Sequence, residues 1–148
     1  MPFSTCLVDT NILLRANLLD SSDNPAIRSC LTKLLSDGTV LYFTHQNIAE
    51  FWNAATRPIG NNGFGLSSEE AGRQVDAFER GIQLLPESDA AYREWRRLIA
   101  KYDVRGVQVH DARLVSAMVV HGVTHILTLN TRHFARFREI IAIHPADV

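Results

Sequence analysis

Short apolar runs alternate along the chain with longer segments in which apolar residues recur at helical spacing. The runs are too short for helices, and Pro86 and Pro145 lie at the ends of two of them, which is typical of buried strands. Strands are therefore predicted over residues 3–8, 40–43, 82–85, 125–129 and 140–143. Helices are predicted over residues 11–19, 25–36, 45–57, 88–102 and 111–121, from residue 68 onward, and briefly up to residue 137. This alternation favours an α/β sandwich with a mostly parallel sheet.

Capping residues and helix breakers set several of these boundaries. Thr44 is expected to cap the third helix, and Pro58 is expected to end it. Ser67 is followed three residues later by Glu70, a spacing that predicts a capping box at the start of the fourth helix. A loop rich in Gly and Asn, residues 58–66, joins the two helices.

Three carboxylates lie in segments that are otherwise apolar. Asp9 follows the first strand, Glu50 lies within the third helix, and Asp111 opens the sixth. An ionised carboxylate near a core is unfavourable unless it is neutralised, and three in one place repel one another. A divalent cation is the natural counter-charge, so the chain predicts a metal site made of oxygen ligands.

Each of these carboxylates also has an ordinary structural explanation. Asp9 is followed by Thr10 and Asn11, and all three are good helix caps. Asp111 heads the apolar stripe of its helix, where an acid in the first turn is favourable. Glu50 lies off the apolar arc of its helix, as a residue on a solvated surface does. The residues alone leave these alternatives open.

Composition narrows the class of protein. A chain of 148 residues that is 46% apolar corresponds to one domain with a full core, over residues 1–148. No apolar run reaches the roughly 18 residues of a membrane span, and no secretory signal is visible. Cys6 and Cys30 are expected to be reduced, buried residues, which makes a cytoplasmic protein the default expectation. The net charge of −1 neither supports nor excludes a nucleic-acid substrate.

Other catalytic motifs are missing from the sequence. It contains no phosphate-binding loop, no nucleophile elbow and no His-Glu-x-x-His pattern. His121 and His125 have a spacing that a helix could use for zinc, but Gly122 interrupts the helix between them. The acidic residues therefore carry the strongest chemical signal.

Four segments in order, residues 7–11, 47–58, 106–114 and 126–134, contain these acids and their neighbours. Together they resemble the PIN-domain family of metal-dependent ribonucleases, and especially the VapC-like toxins of bacterial toxin–antitoxin modules. The resemblance covers nearly the whole chain. It implies a three-layer sandwich with a five-stranded parallel sheet in the order 3-2-1-4-5, flanked by helices.

The resemblance also implies roles for individual residues. Asp9, Glu50 and Asp111 correspond to the catalytic acids that bind Mg²⁺, for which Mn²⁺ is a possible substitute. Asn11 would support Asp9. A fourth acid that is frequent in the family is absent here, because Asn130 and His133 stand in that region. Asn130 would orient a ligand or water, or else cap the short helix that follows.

The resemblance further implies an RNA substrate, a small antitoxin partner that docks near residues 58–66, and a homodimer. Two other functions stay open within the family: an RNA-binding regulatory module with weakened catalysis, and a housekeeping RNA-processing nuclease. A phosphohydrolase of small substrates is a third alternative. Its phosphoaspartyl mechanism would want a second acid two residues after Asp9, and Asn11 occupies that position.

Overall fold

The computed structural model describes residues 3–17 and 21–148, and its elements follow the predicted alternation. The strands are β1 (Thr5–Val8), β2 (Val40–Phe43), β3 (Gln83–Leu84), β4 (His125–Leu127) and β5 (Ile141–Ile143). The helices are α1 (Thr10–Asn17), α2 (Asn24–Ser36), α3 (His45–Thr56), α4 (Ser68–Glu79), α5 (Asp89–Tyr102) and α6 (Gln108–His121). Short 3₁₀ turns lie at Ile59–Asn61, Thr131–Phe134 and Pro145–Asp147.

The five strands form one parallel sheet in the order β3-β2-β1-β4-β5, which confirms the predicted order. In the central strand β1, Leu7 lies opposite Tyr42 of β2 and Ile126 of β4. From β1 the chain continues to β2 and β3 at one edge of the sheet, and it then returns to form β4 and β5 at the other edge. In open α/β sheets, ligands bind beyond the carboxyl ends of the strands at such a reversal. Asp9 follows β1 directly and therefore lies at this position.

Both faces of the sheet are covered by helices. Cys6 and Val8 of β1 belong to the core shared with α1–α4, whereas Leu7 belongs to the core shared with α5 and α6. None of the three has any exposed surface, as expected for the central strand of a covered parallel sheet. Burial raises the pKa of the Cys6 thiol to about 12, and Cys30 is also a buried free thiol. Both cysteines therefore act as small apolar residues.

The predicted caps are present. The Thr44 side chain accepts a hydrogen bond from the backbone of Asn47 at 3.2 Å, and the Asn47 side chain accepts one from the backbone of Thr44 at 2.9 Å. Ser67 and Glu70 form the same reciprocal pair at the start of α4. Both helices thus begin where the sequence predicts. No helix within the described ranges is long and apolar enough to cross a membrane.

Several boundaries differ from the prediction. The sixth helix begins at Gln108 and not at Asp111, because the chain turns earlier, at Gly106, whose φ is +61°. The third strand is only two residues long, and β4 ends at Leu127. The short helix predicted up to residue 137 is a single 3₁₀ turn over Thr131–Phe134. Residues 18 and 19 of the first predicted helix lie outside the described residues.

Glu139 joins the end of α5 to the segment before β5. Its carboxylate accepts hydrogen bonds from Lys101 Nζ at 2.8 Å, Tyr102 Oη at 2.7 Å and Arg97 Nη2 at 3.3 Å. Burial opposes its ionisation, but these bonds prevail and lower the pKa of Glu139 to about 2. The charged form is therefore the one that the fold stabilises.

We expect Glu139→Gln to lower the free energy of unfolding by about 1–2 kcal/mol at neutral pH, since three donors lose a charged acceptor. Folding lowers this pKa, so the contribution is complete above the ordinary value of 4.5 and disappears as the pH falls toward about 2. Urea unfolding across this range measures it. Glu69→Gln, which removes a fully surface ion pair with Arg73, is the control and should change little. Equal effects of the two substitutions would contradict the prediction.

Candidate functional site

Asp9 is held at the end of the central strand by a dense set of hydrogen bonds. Its backbone N–H donates to the carbonyl of Leu127 in β4 at 3.0 Å. One carboxylate oxygen accepts from the N–H of Thr10 at 2.8 Å, and the other accepts from the hydroxyl of Thr128 at 2.8 Å. Burial raises the pKa of Asp9, while these two bonds lower it. The side chain thus caps the first amide of α1 with one oxygen and remains part of the crevice.

Glu50 reaches the same region from the middle of α3. Its Oε1 accepts a hydrogen bond from the Thr10 hydroxyl at 3.4 Å, and that hydroxyl accepts one from Asn47 Nδ2 at 3.1 Å. Loss of water around the carboxylate and repulsion by Asp9 raise the pKa of Glu50, whereas a hydrogen bond from Gln46 lowers it. Glu50 is exposed, but its carboxylate still interacts electrostatically with that of Asp9.

Asp111 lies within the first turn of α6 and does not cap it. The cap position is Val107, four residues before Asp111, and no side chain caps the helix there. Burial and repulsion by Asp9 raise the pKa of Asp111 to about 6, and Glu50 contributes further repulsion. The rings of His133 and His110 oppose this shift. His133 Nδ1 lies 3.9 Å from Asp111 Oδ2.

The three predicted acids therefore share one electrostatic environment, although they come from three different elements. Asp9 raises the pKa of both other acids, and Glu50 raises that of Asp111. Within residues 3–17 and 21–148, however, no three His, Cys, Asp or Glu side chains converge tightly enough to hold one ion directly. The arrangement is a concentrated negative field and not a closed cage of ligands.

Thr128 connects Asp9 to a second layer of polar residues. Its fully buried hydroxyl donates to Asp9 and accepts from the Asn130 backbone at 3.0 Å and from Asn11 Nδ2 at 3.4 Å. Asn11 Oδ1 also accepts from the Leu129 backbone at 3.3 Å. Asn11 is thus connected to Asp9 through Thr128, and its role as a support for Asp9 stays a prediction.

Comparison with known sequences identifies the family. The family model for the PIN domain matches residues 6–140, which is most of the chain. The chain belongs to the PIN-domain family. A comparison with curated proteins gives no significant match.

Solved structures show that this PIN domain shares its fold with chains of several toxin–antitoxin complexes. VapBC2 from Rickettsia felis, bound to a promoter DNA fragment, has a TM-score of 0.73 at 15% identity, with 95% of this chain and 98% of that chain covered. VapBC-1 from nontypeable Haemophilus influenzae has a TM-score of 0.71 at 13% identity, with 96% and 98% covered. VapC20 from Mycobacterium tuberculosis, a toxin that cleaves the sarcin–ricin loop, has a TM-score of 0.60 at 15% identity, with 89% and 95% covered.

The region of the missing fourth acid has two different residues in this PIN domain. Asn130 precedes the 3₁₀ turn, but its side chain makes no capping hydrogen bond, so the capping interpretation is wrong. Its backbone N–H contacts Thr128, and a supporting role for its side chain stays a prediction. His133, by contrast, faces Asp111 and lowers the pKa of both Asp9 and Asp111. His133 therefore lies beside the acids, in the region where the resemblance implied a fourth acid.

Sequence reasoning missed two hydroxyl groups, those of Thr10 and Thr128. A signal for Thr128 does exist in the sequence, since it follows β4 as Asp9 follows β1, and the carboxyl ends of parallel strands meet at one edge. Thr10 directly follows Asp9, but nothing in the sequence pairs it with Glu50. Both hydroxyls donate to a carboxylate of the predicted site.

The donor set fits a hard cation. Carboxylate, hydroxyl and amide oxygens surround the crevice, and Mg²⁺ commonly uses only one or two carboxylates while keeping several waters and substrate oxygens. Asp9 and Asp111 are the residues that could hold such an ion, with Glu50 acting through a water. Three carboxylates that do not converge closely suit an ion that keeps several waters better than an ion whose ligands all come from the protein.

Removal of the Thr128 hydroxyl tests how the strand end controls Asp9. We expect Thr128→Val to raise the pKa of Asp9 further and to lower the free energy of unfolding by about 1–2 kcal/mol. Titration of the Asp9 carboxyl group by NMR measures the first effect, and urea unfolding measures the second. Thr128→Ser keeps the hydroxyl and is the matched control. Identical titration curves for the Val and Ser variants would show that the bond to Asp9 has no influence.

Proposed function

We propose that this PIN domain is a Mg²⁺-dependent endoribonuclease and the toxin of a VapBC-type toxin–antitoxin pair. The observation that carries the proposal is a set of three neighbouring carboxylates, one directly after β1, one in α3 and one in α6. Asp9 raises the pKa of both Glu50 and Asp111, and Glu50 raises that of Asp111. The PIN family membership and the fold shared with VapBC complexes support it. Three neighbouring carboxylates without a cation would repel a negatively charged substrate.

The acidic residues of the crevice would have different roles. Asp9 and Asp111 would hold the cation, and the repulsion between them in its absence would favour its binding. When bound, Mg²⁺ supplies Lewis-acid stabilisation of the phosphate and lowers the pKa of a water. Glu50 has a raised pKa and is oriented by Thr10 and Asn47, so it can take the proton from the attacking water.

The basic groups near the crevice complement this arrangement. His133 and His110 lie beside Asp111 and lower its pKa, so they oppose the repulsion between the three carboxylates where a phosphate would approach. His133 replaces an acid, so a second cation would be held less tightly here than in relatives with four acids. We infer a site in which one cation carries most of the charge neutralisation.

The direct test is cleavage of structured RNA by the purified protein, with the ends of the products mapped. We expect hydrolysis in Mg²⁺ or Mn²⁺ that leaves a 5′-phosphate and a 3′-hydroxyl, and no hydrolysis after the cations are chelated. Tight RNA binding without cleavage in either metal would favour the regulatory module. Turnover of a generic phosphomonoester with RNA left intact would favour a small-molecule phosphohydrolase.

The partners proposed for this protein are a small antitoxin and a second copy of the chain. The structural neighbours are toxin–antitoxin complexes, some of them bound to DNA. Loop 58–66, where the resemblance places antitoxin docking, exposes 77% of the Ile59 side chain. Co-purification with the product of an adjacent small gene tests the first partner, and light scattering of the isolated protein tests the second.

A further inference from the structure

A cavity of about 520 Å³ lies beside the acidic site, between α5 and α6. Gln46 and His110 line it and also border the acids, because Gln46 precedes Glu50 by one turn of α3 and His110 precedes Asp111. Four residues along a helix span about 6 Å. The cavity and the predicted site of chemistry are thus neighbouring parts of one surface, and the volume lies within the range of about 300–1,000 Å³ typical of ligand pockets.

The walls of this cavity are mostly apolar and include two aromatic rings. Tyr92 and Trp95 of α5 have their ring centroids 6.1 Å apart at an angle of 37°. Tyr92 is 56% exposed, which is unusual for a large aromatic side chain. Arg113 and Glu87 form an ion pair of 2.5 Å and also line the cavity. The site therefore offers flat apolar surface together with charged groups.

One buried polar atom in the lining lacks a partner. Gln46 is 91% buried, given its exposure of 9%, and its Nε2 donates to the carbonyl of His110 at 2.9 Å. No donor among the described residues reaches its Oε1. A buried carbonyl oxygen without a donor is unfavourable, and a ligand that carries an N–H group would satisfy it after a small side-chain adjustment.

We propose that this cavity binds one unstacked base of the RNA substrate next to the scissile phosphate. The inference rests on the proposed nuclease function and adds the element that selects the cleavage site. Single-stranded RNA is recognised by stacking of splayed bases on aromatic side chains and by hydrogen bonds to base edges. Tyr92 and Trp95 provide the stacking surface, and Gln46 provides an acceptor for an N–H of the base edge. A base in the cavity leaves its adjoining phosphate at the acids.

Fluorescence of Trp95 measures occupation of the cavity directly. The protein has two tryptophans, so Trp52→Phe leaves Trp95 as the single reporter. The probes are the four ribonucleoside 5′-monophosphates, titrated without a divalent metal in about 1 M NaCl, which screens the repulsion between their phosphate and the three acids. We expect a saturable change in fluorescence with a clear preference among the four bases.

Filling the cavity from either wall should abolish this response. Ala91→Phe acts from α5 and Ala117→Phe from α6, and both residues line the cavity. Each is expected to weaken nucleotide binding at least about tenfold, the scale of one base–aromatic stack. Ala100→Phe, at an exposed position of α5 outside the lining, is the matched control and should leave binding unchanged. Thermal melting of all three variants verifies that they fold.

Cleavage-site mapping separates this inference from the proposed function. We expect Ala91→Phe and Ala117→Phe to cut RNA with a reduced base preference, while Ala100→Phe keeps the pattern of the parent protein. If the protein cuts RNA, but the filled variants keep its site preference and its response to nucleotides, the cavity inference fails alone. If nucleotides bind the cavity and no RNA is cut under any metal condition, the nuclease function fails and the cavity remains a nucleotide site. Saturable binding of N-acetyl-leucinamide without any response to nucleotides would overturn the inference in favour of a peptide groove.

Discussion

Replacement of Asp9 by Asn is expected to abolish RNA cleavage, with a loss of about a thousandfold or more. The substitution keeps the size of the side chain, and its single amide oxygen can still accept from either Thr10 or Thr128. It removes the charge that, with Asp111, would hold the cation. Because the acid lies at the end of the central strand, the neutral amide should leave the fold intact. The measurement is the rate of cleavage of a structured RNA at saturating Mg²⁺.

The control for this experiment is Asp103→Asn. Asp103 ends α5 in the left-handed conformation that Asn also adopts, and its carboxylate pairs with Arg105 at the surface. This variant should cut RNA at the parent rate. If Asp9→Asn cleaves RNA at a comparable rate, Asp9 has no part in the reaction and the proposed function is contradicted.

Several helix boundaries could be predicted from the sequence because their determinants are local. The capping boxes at Thr44 and Ser67 and the stop at Gly122 fix helix boundaries by hydrogen bonds within a few residues. The strand order itself came from the family resemblance, since local patterns do not specify which strands pair. The start of α6 was predicted too late, because Gly106 turns the chain before the apolar stripe becomes visible.

The candidate site could be predicted only in part, for a different reason. Carboxylates in apolar segments are conspicuous, so Asp9, Glu50 and Asp111 could be found from sequence and lie in one field. The hydroxyls of Thr10 and Thr128 are equally close to the acids, but threonine is frequent in strands and at helix starts. Their roles depend on contacts between elements far apart in the chain, which sequence periodicity does not encode.

Neutralising Asp111 should make the protein more stable while it destroys the proposed activity. Folding raises the pKa of this acid from 3.8 to about 6, so the folded state is penalised once the group ionises. The penalty is absent below the unfolded value of 3.8, grows as the pH rises to about 6, and is complete above it. Since the side chain is partly exposed, we expect Asp111→Asn to raise the free energy of unfolding by about 1–2 kcal/mol at neutral pH.

The effect of Asp111→Asn on the free energy of unfolding should reverse sign when Mg²⁺ is present. Mg²⁺ stabilises the parent protein by binding the folded state alone, and Asp111→Asn should lose most of that gain. Denaturant unfolding is measured with and without Mg²⁺, at a pH above 6 and again near 4, which gives four conditions for each variant.

The control Asp89→Asn alters an exposed acid in the first turn of α5, and its stability should not depend on Mg²⁺ or pH in this way. If Asp111→Asn is destabilising without metal, the repulsion between the three acids is not the dominant interaction at this site. If Mg²⁺ stabilises it as much as the parent, Asp111 does not hold the ion, and the crevice would have to bind its cation through Asp9 and Glu50.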